Sequence, residues 1–206
     1  MEKGTKRSIN FQDLMLNRIH EILLVASPYD AFILEEDGRL TQQILYEYLG
    51  MNLSYAPRVW HAKSAKNGLK MLAERSYDLV IVMMRITDMD PITFGENVKK
   101  NYPDKPIILL AFDESEISTL PQKRLKKTID KVYIWTGNAN VFPAIIKNVE
   151  DSMNIERDFK IADIRSIVMV EDNPRFYSII LPLIYRTALK HTRSLIDRSL
   201  SDTDRL

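Results

Sequence analysis

The feature that most constrains the fold is a short apolar strand that recurs along the chain, each time followed by a helical pattern. The strongest of these strands, Asp78–Met84, is almost wholly apolar and rich in β-branched residues, which is typical of a strand buried on both faces. Four further segments share this pattern: Ile22–Val25, Arg58–Ala62, Pro106–Ala111 and Lys131–Trp135. Because parallel strands need a crossover, usually a helix, the alternation predicts an α/β fold with a doubly wound, five-stranded parallel sheet.

The chain divides into three parts by the positions of these units. We expect a polar lead with a short helix over 1–20, the sheet domain over 21–155, and a linker with a further strand and helix over 156–206. The short helix is indicated by the apolar spacing within Phe11–His20.

The last part begins like the first strand of the sheet domain. Ile167–Val170, followed by Glu171-Asp172-Asn173-Pro174, repeats the pattern of Ile22–Pro28 and predicts a C-terminal strand, and a long helical pattern runs over 175–200. This strand and helix are either the start of a truncated second unit or additions to the first sheet. Pro182 predicts a kink or break in the helix.

Composition excludes several classes of function. The chain has 206 residues, and 29 Lys and Arg against 28 Asp and Glu leave a formal charge of +1, which argues against nucleic-acid binding. There is no cysteine, no apolar run long enough to span a membrane and no signal-peptide pattern, so we expect a cytoplasmic protein without a membrane partner. Three scattered histidines give no zinc-binding pattern: His20, His61 and His191.

One run carries a resemblance to a known family. Tyr77–Asp90 is similar to the third strand and following loop of the receiver domain of bacterial two-component response regulators, a domain of the flavodoxin-like order. Pro106–Leu110 and Ala62–Leu72 resemble the fourth strand and the second strand with its helix. The resemblance covers about 21–151.

The resemblance implies transfer of a phosphoryl group to an aspartate, with Mg²⁺ held by an acidic pair and a hydroxyl and a lysine near the phosphoryl oxygens. The five matching positions lack the required groups: Ala26 and Ser27 for the acidic pair, Met83 for the nucleophile, Ala111 for the hydroxyl and Trp135 for the lysine. Neighbouring aspartates are interpreted as turn and cap residues: Asp30, Asp88, Asp90 and Asp113. We therefore expect a degenerate receiver that is not an enzyme, with no catalytic, cofactor or metal residue in the first domain.

The repeated strand pattern differs in one respect. Glu171 and Asp172 stand where the acidic pair of a receiver belongs, so they become Mg²⁺ ligands if a second receiver is completed. The alternative is that they end a strand and cap a helix. The pair of units also resembles the N-terminal region of large bacterial proteins that join receiver-like domains to a phosphoenolpyruvate synthase-type module.

Three hypotheses for function remain open. The first is a phosphorylation-incompetent regulatory module that docks protein partners or other domains of the same polypeptide. The second is the N-terminal part of a working phosphorelay protein whose competent receiver starts near Ile167. The third is an assembly domain that forms a homodimer through the 175–200 helix, because the apolar stretch Phe176–Tyr185 needs to be covered.

Overall fold

The computed structural model describes residues 14–37, 39–50, 56–162 and 166–203. Its five strands are β1 Glu21–Val25, β2 Arg58–Ala62, β3 Leu79–Met83, β4 Ile107–Ala111 and β5 Lys131–Ile134. Every strand boundary lies within one residue of its prediction. The strands pair in parallel in the order β2-β1-β3-β4-β5, which confirms the predicted α/β fold.

Helices cover both faces of the sheet because β3 and β4 are buried at every residue and need apolar neighbours on each side. The helices are α1 Pro28–Phe32, continued by a π-helical stretch Ile33–Asp37, α2 Leu40–Gly50, α3 Ala65–Glu74, α4 Pro91–Asn101, α5 Glu114–Ser118, α6 Gln122–Thr128, α7 Val141–Ile161 and α8 Pro174–Thr203. Alternate β3 side chains divide between two cores, one built with α1, α2 and α7 and the other with α3, α4 and α6.

The N-terminal segment differs from its prediction. Residues 14–20 form no helix, so the helix predicted over Phe11–His20 is wrong there, whereas residues 11–13 lie outside the described part. Side chains of α7 accept hydrogen bonds from the backbone N–H groups of every second residue of this segment. Such a spacing of two is typical of an extended chain rather than of a helix. The donors and acceptors are Met15 N to Asp158 Oδ2 at 3.0 Å, Asn17 N to Asn154 Oδ1 at 2.9 Å and Ile19 N to Glu150 Oε1 at 2.9 Å.

The C-terminal strand predicted at Ile167–Val170 is also wrong. Residues 166–173 form no strand, and the side chains of Ile167, Val168 and Val170 are 72%, 81% and 93% exposed. A strand of this composition gains stability only by pairing with a sheet and burying its side chains. The preceding helix α7 continues past residue 155, where the sequence placed the end of the domain, to Ile161.

Helix α8 packs along β5, the strand at one edge of the sheet. The backbone N–H of Ile134 donates to Ser178 Oγ at 2.9 Å, and the Tyr177 hydroxyl donates to the carbonyl of Val132. The rings of Tyr177 and Tyr133 meet edge to face at 5.4 Å. Because the exposed edge of a sheet presents unpaired backbone groups, α8 satisfies groups that would otherwise lack partners. The helix continues through Pro182 rather than ending there.

Removal of the Ser178 hydroxyl tests this attachment. Ser178→Ala leaves the buried Ile134 N–H without its acceptor, and we expect a loss of roughly 1–3 kcal/mol in the free energy of unfolding. The control is Ser152→Ala, because Ser152 Oγ is exposed and donates only to the Asn148 carbonyl within α7. Urea denaturation measures both variants, and an equal effect of the two would contradict the role given to Ser178.

Candidate functional site

The carboxyl ends of the parallel strands meet at one edge of the sheet, where a fold of this kind normally places its ligand. The register brings the five positions predicted from the sequence to this edge. Val25 pairs with Val82 and Met83 with Leu110, so the residues that follow are neighbours. The five are Ala26 directly after β1, Ser27 as the N-cap of α1, Met83 at the end of β3, Ala111 at the end of β4 and Trp135 directly after β5.

Apolar side chains fill this edge. Ala26, Met83 and Ala111 are fully buried, and Trp135 is 7% exposed. The Trp135 ring packs against Phe142 at 5.7 Å between ring centroids, and its backbone N–H donates to the Ala111 carbonyl at 2.7 Å. The edge is therefore continuous with the core and has no polar crevice at these positions.

Ser27 is the one hydroxyl-bearing residue among the five positions. Its hydroxyl oxygen accepts the backbone N–H of Asp30 at 3.1 Å and so caps α1. The role of this hydroxyl is therefore to stabilise the start of α1.

An ion pair joins the loop after β3 to α5 above the same edge. Arg85 donates from Nε at 3.0 Å and from Nη2 at 2.9 Å to Glu116 Oε1. Glu116 Oε2 in turn accepts the Phe112 N–H at 3.0 Å, and the guanidinium lies 5.6 Å from the Phe112 ring centroid. Sequence reasoning missed this contact because its partners are 31 residues apart and neither lies in a recognised motif. Its charges satisfy each other, so it offers no unpaired cation for a phosphate.

Three of the four aspartates interpreted as turn and cap residues have such roles in the structure. Asp88 accepts the N–H groups of Ala65 and Lys66 at the start of α3. Asp90 and Asp113 are the N-caps of α4 and α5, which confirms their interpretation as cap residues.

Asp30 is the exception. It is 1% exposed, and neither carboxylate oxygen accepts a hydrogen bond from the residues that the structure describes. Burial raises the pKa of the Asp30 carboxyl above its usual value, although the Arg85 charge acts in the opposite direction. We therefore interpret the buried Asp30 carboxylate as a charge that destabilises the fold rather than as a metal ligand. No signal in the sequence indicated its burial.

The acidic pair before α8 is used locally. Glu171 Oε1 accepts the backbone N–H of Asn173 at 2.9 Å, and Asp172 is exposed. Among the described residues, no group of three or more acidic or histidine side chains is placed to hold a metal ion. None of the described helices is long and apolar enough to cross a membrane.

Solved structures with a similar fold are receiver domains. One is the CheY-like response regulator receiver domain protein from Methanospirillum hungatei JF-1, at 20% identity over 67% of this chain and 98% of that chain, with a TM-score of 0.50. Another is NtrX from Brucella abortus, at 16% identity over 74% of this chain and 32% of that longer chain, with a TM-score of 0.53. No protein-family model matches the sequence, and a search of curated proteins found no similar sequence.

The chain has the receiver-type fold. Its sheet order and helix layers are those of the solved receiver domains, as the sequence predicted. At these identities the likeness shows the fold alone, so the chemistry of the chain must be argued from the residues at the edge of its sheet.

The energy of the filled edge is tested at Met83. Met83→Asp places a carboxylate in a fully buried apolar position, and we expect a loss of roughly 3–5 kcal/mol in the free energy of unfolding because the charge has no partner. Met83→Leu keeps the volume and is expected to lose less than about 1.5 kcal/mol. Chemical denaturation at pH 7 compares them, and equal stability of both variants would show that the edge is open to water.

Removal of the buried charge of Asp30 is expected to raise the free energy of unfolding, whereas the new charge in Met83→Asp lowers it. Because the folded-state pKa is raised, the ionised group destabilises the fold at pH 7, and Asp30→Asn is expected to add about 1 kcal/mol. The gain should shrink as the pH falls toward the usual pKa of 3.8, where Asp30 binds a proton in both states. The control is Asp113→Asn, which keeps an N-cap residue at an exposed position. Thermal unfolding across pH measures both, and a loss of stability in Asp30→Asn at pH 7 would contradict the assignment.

Proposed function

We propose that this chain is a receiver-like regulatory and protein-interaction module of two-component, phosphorelay-type signalling that does not accept a phosphoryl group. The observation that carries the proposal is the burial of apolar side chains at the edge where the fold places its ligand, with Met83 at the centre. The module is not an enzyme and needs no cofactor for this role.

Phosphoryl transfer to a protein side chain needs a nucleophile and charge compensation. A thioether such as that of Met83 carries no negative charge and is only a weak acceptor. Ala26 and Ala111 have no functional group, and the indole of Trp135 supplies no positive charge. Without a carboxylate, a metal ligand or a free cation at these positions, neither attack on phosphorus nor neutralisation of the phosphoryl oxygens is supported.

Partners of this module are other proteins or other domains of the same polypeptide. We further propose a cytoplasmic location, which suits a chain without cysteine. A homodimer is one form of such an interaction, and α8 is the element that we consider for it. A competent receiver beginning near Ile167, with Glu171 and Asp172 as Mg²⁺ ligands, and a phosphoenolpyruvate synthase-type context both stay predictions from the sequence.

The proposal is tested by phosphorylation. The 206-residue chain is incubated with acetyl phosphate and Mg²⁺ beside a competent receiver domain, and both are measured by intact-protein mass spectrometry. We expect a phosphorylated species for the competent receiver and an unchanged mass for this chain, because Met83 cannot form an acyl phosphate.

A stoichiometric adduct that hydroxylamine removes would contradict the proposal, because this sensitivity is typical of an acyl phosphate. Peptide mapping would then identify the carboxylate that carries the phosphoryl group. Asp30→Asn and Asp113→Asn are the matched variants for that step, since these two aspartates follow β1 and β4.

A further inference from the structure

Helix α6 carries four cationic side chains and no acidic one within seven residues. Arg124 has a partner, because it donates from Nε and from Nη2 to the two carboxylate oxygens of Glu96 on α4, each at 2.8 Å. The other three cations are exposed, and none of their side chains forms a hydrogen bond or an ion pair with a residue that the structure describes. We call them the α6 lysines: Lys123, Lys126 and Lys127.

The stability of α6 does not explain the position of Lys123. This lysine is the second residue of the helix, near the end where the backbone dipole is positive, and the first turn has no acidic side chain. Lys126 and Lys127 lie in the last turn, where a cation is favourable. They follow Lys123 by three and four residues, however, and like charges repel at this spacing. The α6 lysines therefore destabilise their own helix by mutual repulsion.

Helix α3 has cations at the same spacing, but there they are compensated. Lys66 and Lys70 are the second and sixth residues of α3, the positions that two of the α6 lysines have in α6. Asp88 Oδ2 accepts the backbone N–H of Lys66 at 3.0 Å, and Glu74 pairs with Lys70 at 3.8 Å. No described carboxylate pairs with the α6 lysines, so a complementary acidic surface is left for another molecule to supply.

We propose that the α6 lysines bind an acidic segment of a partner protein, in extended conformation and with carboxylates on alternate residues. Lys123 and Lys127 are four residues apart, which is about 6 Å along the helix axis. Alternate side chains of an extended chain are about 6.6 Å apart, so two successive carboxylates match these two lysines. This inference rests on the proposed function only in that the module binds proteins, and it uses no residue of the filled edge.

Nucleic acid and anionic membranes fit this surface less well than an acidic segment does. No aromatic or large apolar side chain in residues 56–152, all of which the structure describes, is exposed. Unpaired bases bind by stacking on exposed aromatic rings, and a helix on a membrane surface inserts apolar side chains. The formal charge of +1 also gives no long-range attraction to a polyanion. Local contact with a few carboxylates needs neither feature.

The first measurement is fluorescence anisotropy of a rhodamine-labelled peptide in which four glutamates alternate with serines, titrated with the 206-residue chain at low salt. We expect saturable binding that weakens as salt is added, because exposed charges make the contact. Lys123→Glu combined with Lys127→Glu replaces two attractions by two repulsions and should raise the dissociation constant by about tenfold.

The matched control is Lys66→Glu combined with Lys70→Glu on α3. It makes the same change in net charge at the same two helix positions, and we expect it to keep the peptide affinity of the unaltered chain. Equal weakening by the two double variants would overturn the proposal, and so would the absence of saturable binding by the unaltered chain. Neither result changes the mass measured after incubation with acetyl phosphate, so this inference and the proposed function fail separately.

Competition identifies the kind of anion that binds. Unlabelled peptide, an oligothymidylate and vesicles of phosphatidylcholine with phosphatidylserine are each added to the labelled complex at equal anionic charge. We expect the peptide to compete best. Stronger competition by the oligothymidylate or by the vesicles would overturn the assignment to a protein partner.

Thermal unfolding separates binding from a role in the fold. Lys123→Glu places an acid near the positive end of α6 and four residues before Lys127, so we expect Tm to rise by about 2 °C while peptide affinity falls. A lower Tm would show that Lys123 supports the fold and would overturn its assignment to a binding surface.

Discussion

The structure depends on a parallel sheet that is buried on both faces. In β3 and β4 every residue is buried, so each side chain must contact a helix and each backbone group must find a partner in the sheet. This requirement fixes the alternation of strand and helix, and it brings every carboxyl end of a strand to one edge. The residues that directly follow the strands then determine which chemical groups lie at that edge.

Polar side chains on helices accept hydrogen bonds from backbone N–H groups at two places, the edge strand β5 and the segment before β1. Ser178 accepts a backbone N–H of β5, and Glu150, Asn154 and Asp158 accept three N–H groups of the segment before β1. Ser178 stands in for the neighbouring strand that the edge strand β5 lacks, while the three acceptors on α7 satisfy a segment that lies outside the sheet. These contacts attach α7 and α8 to the rest of the domain.

The sequence predicted the elements that rest on apolar periodicity and missed those that rest on distant polar contacts. The five strands and the positions of Ala26, Met83 and Trp135 at their ends followed from local pattern and from the resemblance to receiver domains. The extended segment 14–20 did not, because its helical spacing is outweighed by acceptors more than 130 residues away. Ile167–Val170 has strand composition but no strand to pair with, which local pattern cannot reveal.

Stability and phosphoryl chemistry oppose each other at the edge of this sheet. A receiver that binds Mg²⁺ and phosphate must keep several carboxylates close together, and their mutual repulsion and desolvation lower its stability. Apolar residues such as Met83 and Trp135 carry no charge and so avoid that cost, and they fill this edge of the sheet. A buried apolar edge therefore adds to the stability of the domain, whereas a cluster of carboxylates at the same place would lower it.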